Sequence, residues 1–265
     1  PPVLVHLLRP CAARPDAVCP VGLAAVQAWR GVVDAKMAAL LGRPLAADLA
    51  ALVLPLVQLG LQHEQQHQEL ILTDLLHLFS CNPLAPAYLP AVPLPPAEAT
   101  PLAWIDQPGG VVQVGAGRDG FAFDNERPRH AQLLQPHALA SRPVAQGEWA
   151  AFIADGGYAD PRWWMSAGWD WLRSQGVAAP LHWRRSGSRS ADWQQFSLHG
   201  LQALQPAAPV AHISWYEADA YARWHAAQHP GQPPSRLPTE AEWEQAAQPL
   251  AAAALAAGNF LESGK

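Results

Sequence analysis

Seven prolines fall between residues 83 and 101: Pro83, Pro86, Pro90, Pro93, Pro95, Pro96 and Pro101. Each removes a backbone donor and fixes φ, so neither a helix nor a sheet ladder can run through the stretch. It predicts a stiff extended spacer. The spacer divides the 265-residue chain into parts with different hydrophobic patterns. Residues 1–82 read as a helical domain, 83–101 as the linker, and 102–265 as a domain of short strands, glycine turns and short helices.

In the first part, residues 1–20 are irregular. Val26, Trp29, Val33, Met37 and Leu40 then recur at helical spacing and predict a helix over Leu23–Leu41, with Gly42 and Pro44 as its stop. A second helix is expected from about Ala46, kinked or restarted at Pro55, to about Phe79, where Ser80-Cys81-Asn82-Pro83 ends it. Leu56, Leu59 and Leu70 mark one side of it, and Leu61, Leu72, Leu75 and Phe79 another. A helix apolar on several sides is expected to be buried in a bundle.

Its middle reads His63-Glu64-Gln65-Gln66-His67-Gln68-Glu69. Histidines four apart lie on one helical face and can reach one metal ion. They stand where leucine is expected, and burying polar rings is costly unless something satisfies them. The donor pair suits zinc, iron, copper and nickel alike. The heptapeptide also fits the H-E-x-x-H pattern of zinc proteases. The downstream glycine and third histidine of metzincins are missing, however, and no later helix supplies a glutamate before the spacer. His77 and Asp74 are excluded as third ligands for the pair. Ten residues of helix, the separation of His77 from His67, is about 15 Å of rise. Both are expected to make polar contacts instead.

Half the residues are hydrophobic and 15% are charged, with a net charge of −5. That balance gives no basic footprint for nucleic acid. No apolar run reaches membrane-spanning length, and no signal-peptide pattern opens the chain. Cys11, Cys19 and Cys81 are odd in number and lack a CxxC pairing, which points to a reducing cytoplasm. The chain begins at Pro1 and ends at Gly264-Lys265, so it is read as a piece of a longer polypeptide.

In the second part, strands are predicted at Val111–Val114 and Gln132–Ala138, separated by turns at Pro108-Gly109-Gly110 and Gly115-Ala116-Gly117. Ser214-Trp215-Tyr216-Glu217 and Thr239-Glu240-Ala241-Glu242 are capping boxes that open two helices. Ala220, Tyr221 and Trp224 are placed on the inner face of the first. Trp163, Trp164, Trp169, Trp171 and Trp183 are expected as packing anchors. His130, His182, His199 and His212 are expected to be structural.

These residues resemble a known family. His63-Glu64-Gln65-Gln66-His67-Gln68-Glu69-Leu70 with Thr73-Asp74 is similar to the metal helix of the DinB-like domain in hercynine oxygenases, the iron-dependent sulfoxide synthases of ergothioneine biosynthesis. Phe123-Asp124-Asn125-Glu126, Asp155-Gly156-Gly157-Tyr158, Gly168-Trp169, the run from Pro209 to Ala218, and the run from Arg236 to Glu244 resemble that family's formylglycine-generating-enzyme (sulfatase-modifying factor) domain. The resemblance covers roughly residues 23–265. It implies an α+β protein, with an N-terminal DinB-like helical bundle followed by a C-type-lectin-like domain.

It further implies Fe(II) as cofactor, His63 and His67 as metal ligands, and Gln66 as a contact to the histidine betaine. The implied substrates are hercynine, cysteine or γ-glutamylcysteine, and O2. No nucleic acid or membrane partner is implied. The family's third ligand comes from an upstream helix that His6 and its neighbours do not resemble, and Arg9 and Arg14 do not match its thiol-binding arginines. Its catalytic tyrosine would follow Gly258–Gly264. The chain is therefore expected to lack a complete active site. The competing readings are an ovothiol-type or selenium-inserting relative, a binding module without activity, and a zinc hydrolase.

Overall fold

The computed structural model describes residues 22–90, 100–187 and 193–248. The chain divides into two compact units, Pro1–Gln65 and Gln66–Lys265.

In the first unit, helix α1 spans Leu23–Leu41, and helix α2, Ala47–Ser80, begins here and ends in the second unit. The predicted limits of α1 are the observed ones, because Gly42 ends the periodic run. Its surface carries an Arg30–Asp34 ion pair at 2.9 Å. Helix α2 does not restart at Pro55 but continues through it. Proline there costs the single hydrogen bond to the carbonyl four residues back, and the leucine-rich flanks keep the helix going.

The expected burial of α2 is not observed. Leu56 is 60% exposed, Leu59 43% and Leu70 52%, and the only buried residues of the helix are Leu76 and Ser80. A helix apolar on several sides needs a neighbour on each. Among the described residues the first unit, which holds Leu56 and Leu59, has only α1 and the start of α2, too few neighbours to cover those sides.

In the second unit, strand β1 (Trp104–Gln107) pairs antiparallel with β4 (His137–Ala140), and β2 (Gly110–Val114) with β3 (His130–Leu134). The single strand predicted over Gln132–Ala138 is therefore two. Pro136 offers no ladder donor, and Gln135-Pro136 lets the chain leave one partner for the next. Gly109 (φ +71°) passes so close that a Cβ would sit 2.6 Å from the Leu134 carbonyl oxygen. The third sheet is β5 (Trp183–Arg185), β6 (Trp193–Ser197) and β7 (Gly200–Ala203), all antiparallel.

Four helices accompany them: α3 (Gln146–Ala154), α4 (Ser166–Gln175), α5 (Trp215–Gln228) and α6 (Glu240–Ala247). Both predicted capping boxes form. The Ser214 hydroxyl accepts from the Glu217 amide, and the Thr239 hydroxyl from the Glu242 amide. The core gathers Trp149, Phe152, Tyr158, Trp164, Leu172, Trp183, Trp193, Ala220 and Tyr221. A smaller cluster of Val114, Leu134 and Ala241 seats α6 on the β2–β3 pair. The tryptophans are packing anchors as expected, with Trp163, Trp169 and Trp171 against the rim of the core. Arginines cover several indole faces, Arg162 over Trp163 and Arg173 over Trp169.

The start of the proline-rich stretch is neither helix nor strand, but it is not free of the domain. The amides of Tyr88 and Leu89 both donate to the Leu198 carbonyl, at 2.8 and 2.9 Å. His199 Nδ1 lies 2.6 Å from the Pro90 carbonyl oxygen. Just before it, the Arg184 guanidinium donates to the Ser80 carbonyl at the end of α2. Residues 91–99 lie outside the described residues, so the remainder of the predicted spacer does too.

Candidate functional site

His63, Gln66 and His67 all fall within α2, and all three are exposed. Among the described residues, no group of three or more His, Cys, Asp or Glu side chains is placed to hold a metal ion. His6, Arg9, Arg14, Cys11, Cys19 and Gly258–Gly264 lie outside the described residues.

His77 makes a polar contact, as expected, at the C-terminal end of α2. Its Nε2 is 3.8 Å from Cys81 Sγ, and its ring centroid is 6.0 Å from that of His182. His182 in turn meets His212 edge-on at 4.9 Å. Both of these histidines hold positive φ, 75° and 60°. Their backbones are committed to the fold: Leu181 N–H donates to the His212 carbonyl and Phe196 N–H to the His182 carbonyl. Burial pushes the His182 imidazole down to about 4, helped by His212, His77 and Arg184. Burial also lowers His212. His182 and His212 are held by the fold, and their role is structural.

The motif residues of the second unit likewise act by holding the fold. Gly156 (φ +80°) turns the chain after α3, and Gly157 lies flat on Phe152. The turn delivers the Tyr158 hydroxyl into the core, where it donates to Glu217 Oε1 at 2.6 Å and accepts from Trp149 Nε1–H at 3.2 Å. Burial first, and Glu217 second, push the Tyr158 phenol far above its ordinary value. Gly168 packs against Tyr216, with room for no side chain. Arg236 donates twice to Glu242, at 2.6 and 2.8 Å, and this hydrogen bonding holds the Glu242 carboxyl down at about 2. Glu244 accepts from Gly115 N–H at 2.9 Å, which fastens α6 to β2.

One open cleft of about 430 Å³ lies among Trp104, Glu148, Tyr221, Trp224, His225 and His229. Glu148 is already engaged. Arg142 donates to both its oxygens, at 2.8 and 2.9 Å, and its Oε2 also accepts from Ala145 N–H. The Arg142 hydrogen bonds hold the Glu148 carboxyl below its ordinary value. His225 lies between Tyr221, stacked at 6.2 Å, and His229 at 4.3 Å. Burial, with His229 second, lowers its pKa. The sequence reading missed this pair. The signal was there: His225 and His229 have the same four-residue spacing as His63 and His67.

Three small antiparallel sheets, helices seated by capping carboxylates and an aromatic core define an α+β domain, and it can be placed among known ones. Residues 94–261 match the sulfatase-modifying factor enzyme 1-like domain, and the chain belongs to that family. Within it, the chain is similar to hercynine oxygenases. The similarity to that of Mycolicibacterium thermoresistibile is 37% identity over 184 residues, 69% of this chain and 38% of the relative. For that of Mycolicibacterium smegmatis it is 35% over 190 residues, 71% and 40%. It is also 34% identical over 164 residues to the formylglycine-generating enzyme of Streptomyces coelicolor, 53% of this chain and 45% of that protein. The chain thus spans about two fifths of the length of the hercynine oxygenases it matches. The resemblance to hercynine oxygenases and to their sulfatase-modifying-factor domain is borne out by these relatives.

Proposed function

We propose that this chain is part of a non-haem iron enzyme that uses O2 to join the sulfur of cysteine or γ-glutamylcysteine to the imidazole carbon of hercynine, giving a sulfoxide. The observation that carries the reading is a coincidence within one chain. A helix bearing His63, Gln66 and His67 precedes a sulfatase-modifying-factor domain similar, at 35–37% identity, to hercynine oxygenases.

The donor set fits iron in kind. Two imidazoles bind a divalent ion without neutralising it. His63 and His67 would hold Fe(II) from successive turns of α2, and further ligands would come from residues outside that helix. Bound iron would supply the activation of O2 and a seat for the thiolate. Gln66, on the same turns, offers an amide that can orient a carboxylate or an imidazole by hydrogen bonding. The proposal keeps the domain order read from the sequence: a DinB-like helical part over 1–82, a linker over 83–101 whose start is bonded to the β6–β7 turn, and the sulfatase-modifying-factor part over 102–265. A cytoplasmic location fits the thiol substrate and the sparse cysteines.

The test is mass spectrometry of the Fe(II)-loaded longer protein of which this chain is part, given hercynine, a cysteine or γ-glutamylcysteine donor, and O2. The expected product is an iron- and oxygen-dependent sulfoxide, lost when His63 and His67 are both replaced by alanine. Unchanged turnover in that double variant would overturn the reading. A product only from histidine or a selenium donor would move it to the ovothiol-type or selenium-inserting relative.

A further inference from the structure

We propose that His225 and His229 form a second metal site, one for a divalent first-row ion such as Zn²⁺, Ni²⁺ or Cu²⁺, bound through the Nε2 atoms of both rings. His225 sits in the last turn of α5 and His229 is the residue that caps it. Their spacing stacks one imidazole above the other, and the ring centroids are 4.3 Å apart with the planes tilted by 31°.

What separates this pair from two incidental histidines is the state of the other ring nitrogens. His229 Nδ1 lies 2.9 Å from the His225 carbonyl oxygen. A carbonyl only accepts, so Nδ1 carries the hydrogen and Nε2 carries the lone pair. His225 Nδ1 lies 2.9 Å from Ser235 Oγ, a hydroxyl able to accept in the same way. Imidazoles that ligate metals characteristically donate their second ring N–H to such an oxygen, which fixes the tautomer and raises the basicity of the ligating nitrogen. His229 is set up in that manner, and Ser235 can complete the same arrangement at His225.

The surroundings favour a cation. The C-terminal end of α5 carries the negative end of the helix dipole. The pair opens into the cleft with Trp104 and Gln232. Glu148 does not compete as a ligand, because Arg142 and the Ala145 amide hold its oxygens. An ion bound by two imidazoles keeps open positions, so the site would take water or a small donor ligand from the cleft.

The test is Ni²⁺ titration of the chain with His63 and His67 both replaced by alanine, which removes the helix motif. One bound equivalent is expected, and it should disappear on adding His229→Gln. Ser235→Ala should weaken binding about 10- to 100-fold, as removal of an orienting partner does. Cu²⁺ loaded in place of Ni²⁺ should show nitrogen hyperfine structure in its electron paramagnetic resonance spectrum, absent in His229→Gln. Because His229 is exposed, circular dichroism of that variant should match the parent. Binding that His229→Gln leaves unchanged, or no bound equivalent in the His63/His67 variant, would overturn the proposal.

Discussion

Gly157 shows how much one missing side chain can matter. A Cβ there would stand 2.1 Å from Cε2 of Phe152, whose ring is wholly buried and cannot retreat. Gly157→Ala is expected to destabilise the second unit by about 1–3 kcal/mol, the usual cost of overpacking, read as a lower urea midpoint. One residue on, Tyr158→Phe removes the donor to Glu217 and the acceptor for Trp149 Nε1–H. Stranding buried partners should cost about 1–3 kcal/mol with little change in the near-ultraviolet spectrum. The sequence displays Asp155-Gly156-Gly157-Tyr158 as a motif, yet not the reason for it. Gly156 is needed for its positive φ and Gly157 for contact with a ring five residues earlier. No local rule distinguishes two such glycines.

At the level of elements, one device recurs. Ahead of both α3 and α6, an arginine six residues before a glutamate clamps it while that glutamate caps the helix: Arg142 on Glu148, and Arg236 on Glu242. At α5 the capping Glu217 is held instead by the Tyr158 hydroxyl. The boxes at Ser214 and Thr239 were legible because their chemistry is local. The one at α3 was not, since Ala145 stands where a hydroxyl would signal the cap. Thr239→Ala should lower stability by about 1 kcal/mol in thermal unfolding. The split of the predicted strand over Gln132–Ala138 escaped notice for a related reason. Alternation continues across Pro136, whereas the change of partner from β2 to β1 depends on contacts distant in sequence.

At the scale of the whole molecule, acidity is the informative variable. His182 is neutral in the fold with its pKa near 4, while an unfolded imidazole titrates near 6.5. The unfolded chain therefore binds the extra proton first, and stability should be lost as pH falls from about 6.5 to about 4. The slope from this one group is at most about 1.4 kcal/mol per pH unit. Glu242, held near 2 against an ordinary 4.5, stabilises above its unfolded value and is lost as pH falls from about 4.5 toward 2. Urea melts from pH 7 to 3 should show the first loss, and His182→Asn, which tolerates positive φ, should flatten it above pH 4.5.

The candidate iron ligands were legible as a spacing on a helix. Their exposure was not, because burial of a leucine seam depends on which surfaces meet it, and sequence periodicity records only the side that is ready to be covered.

The anchoring of Tyr88 and Leu89 to a single carbonyl also has a dynamic consequence. Two amides that share the Leu198 acceptor can be released by one opening of the β6–β7 turn. Their deuterium uptake should then follow one opening event and match the rate of the β6–β7 amides, so that a stretch written as linker exchanges as part of the sheet.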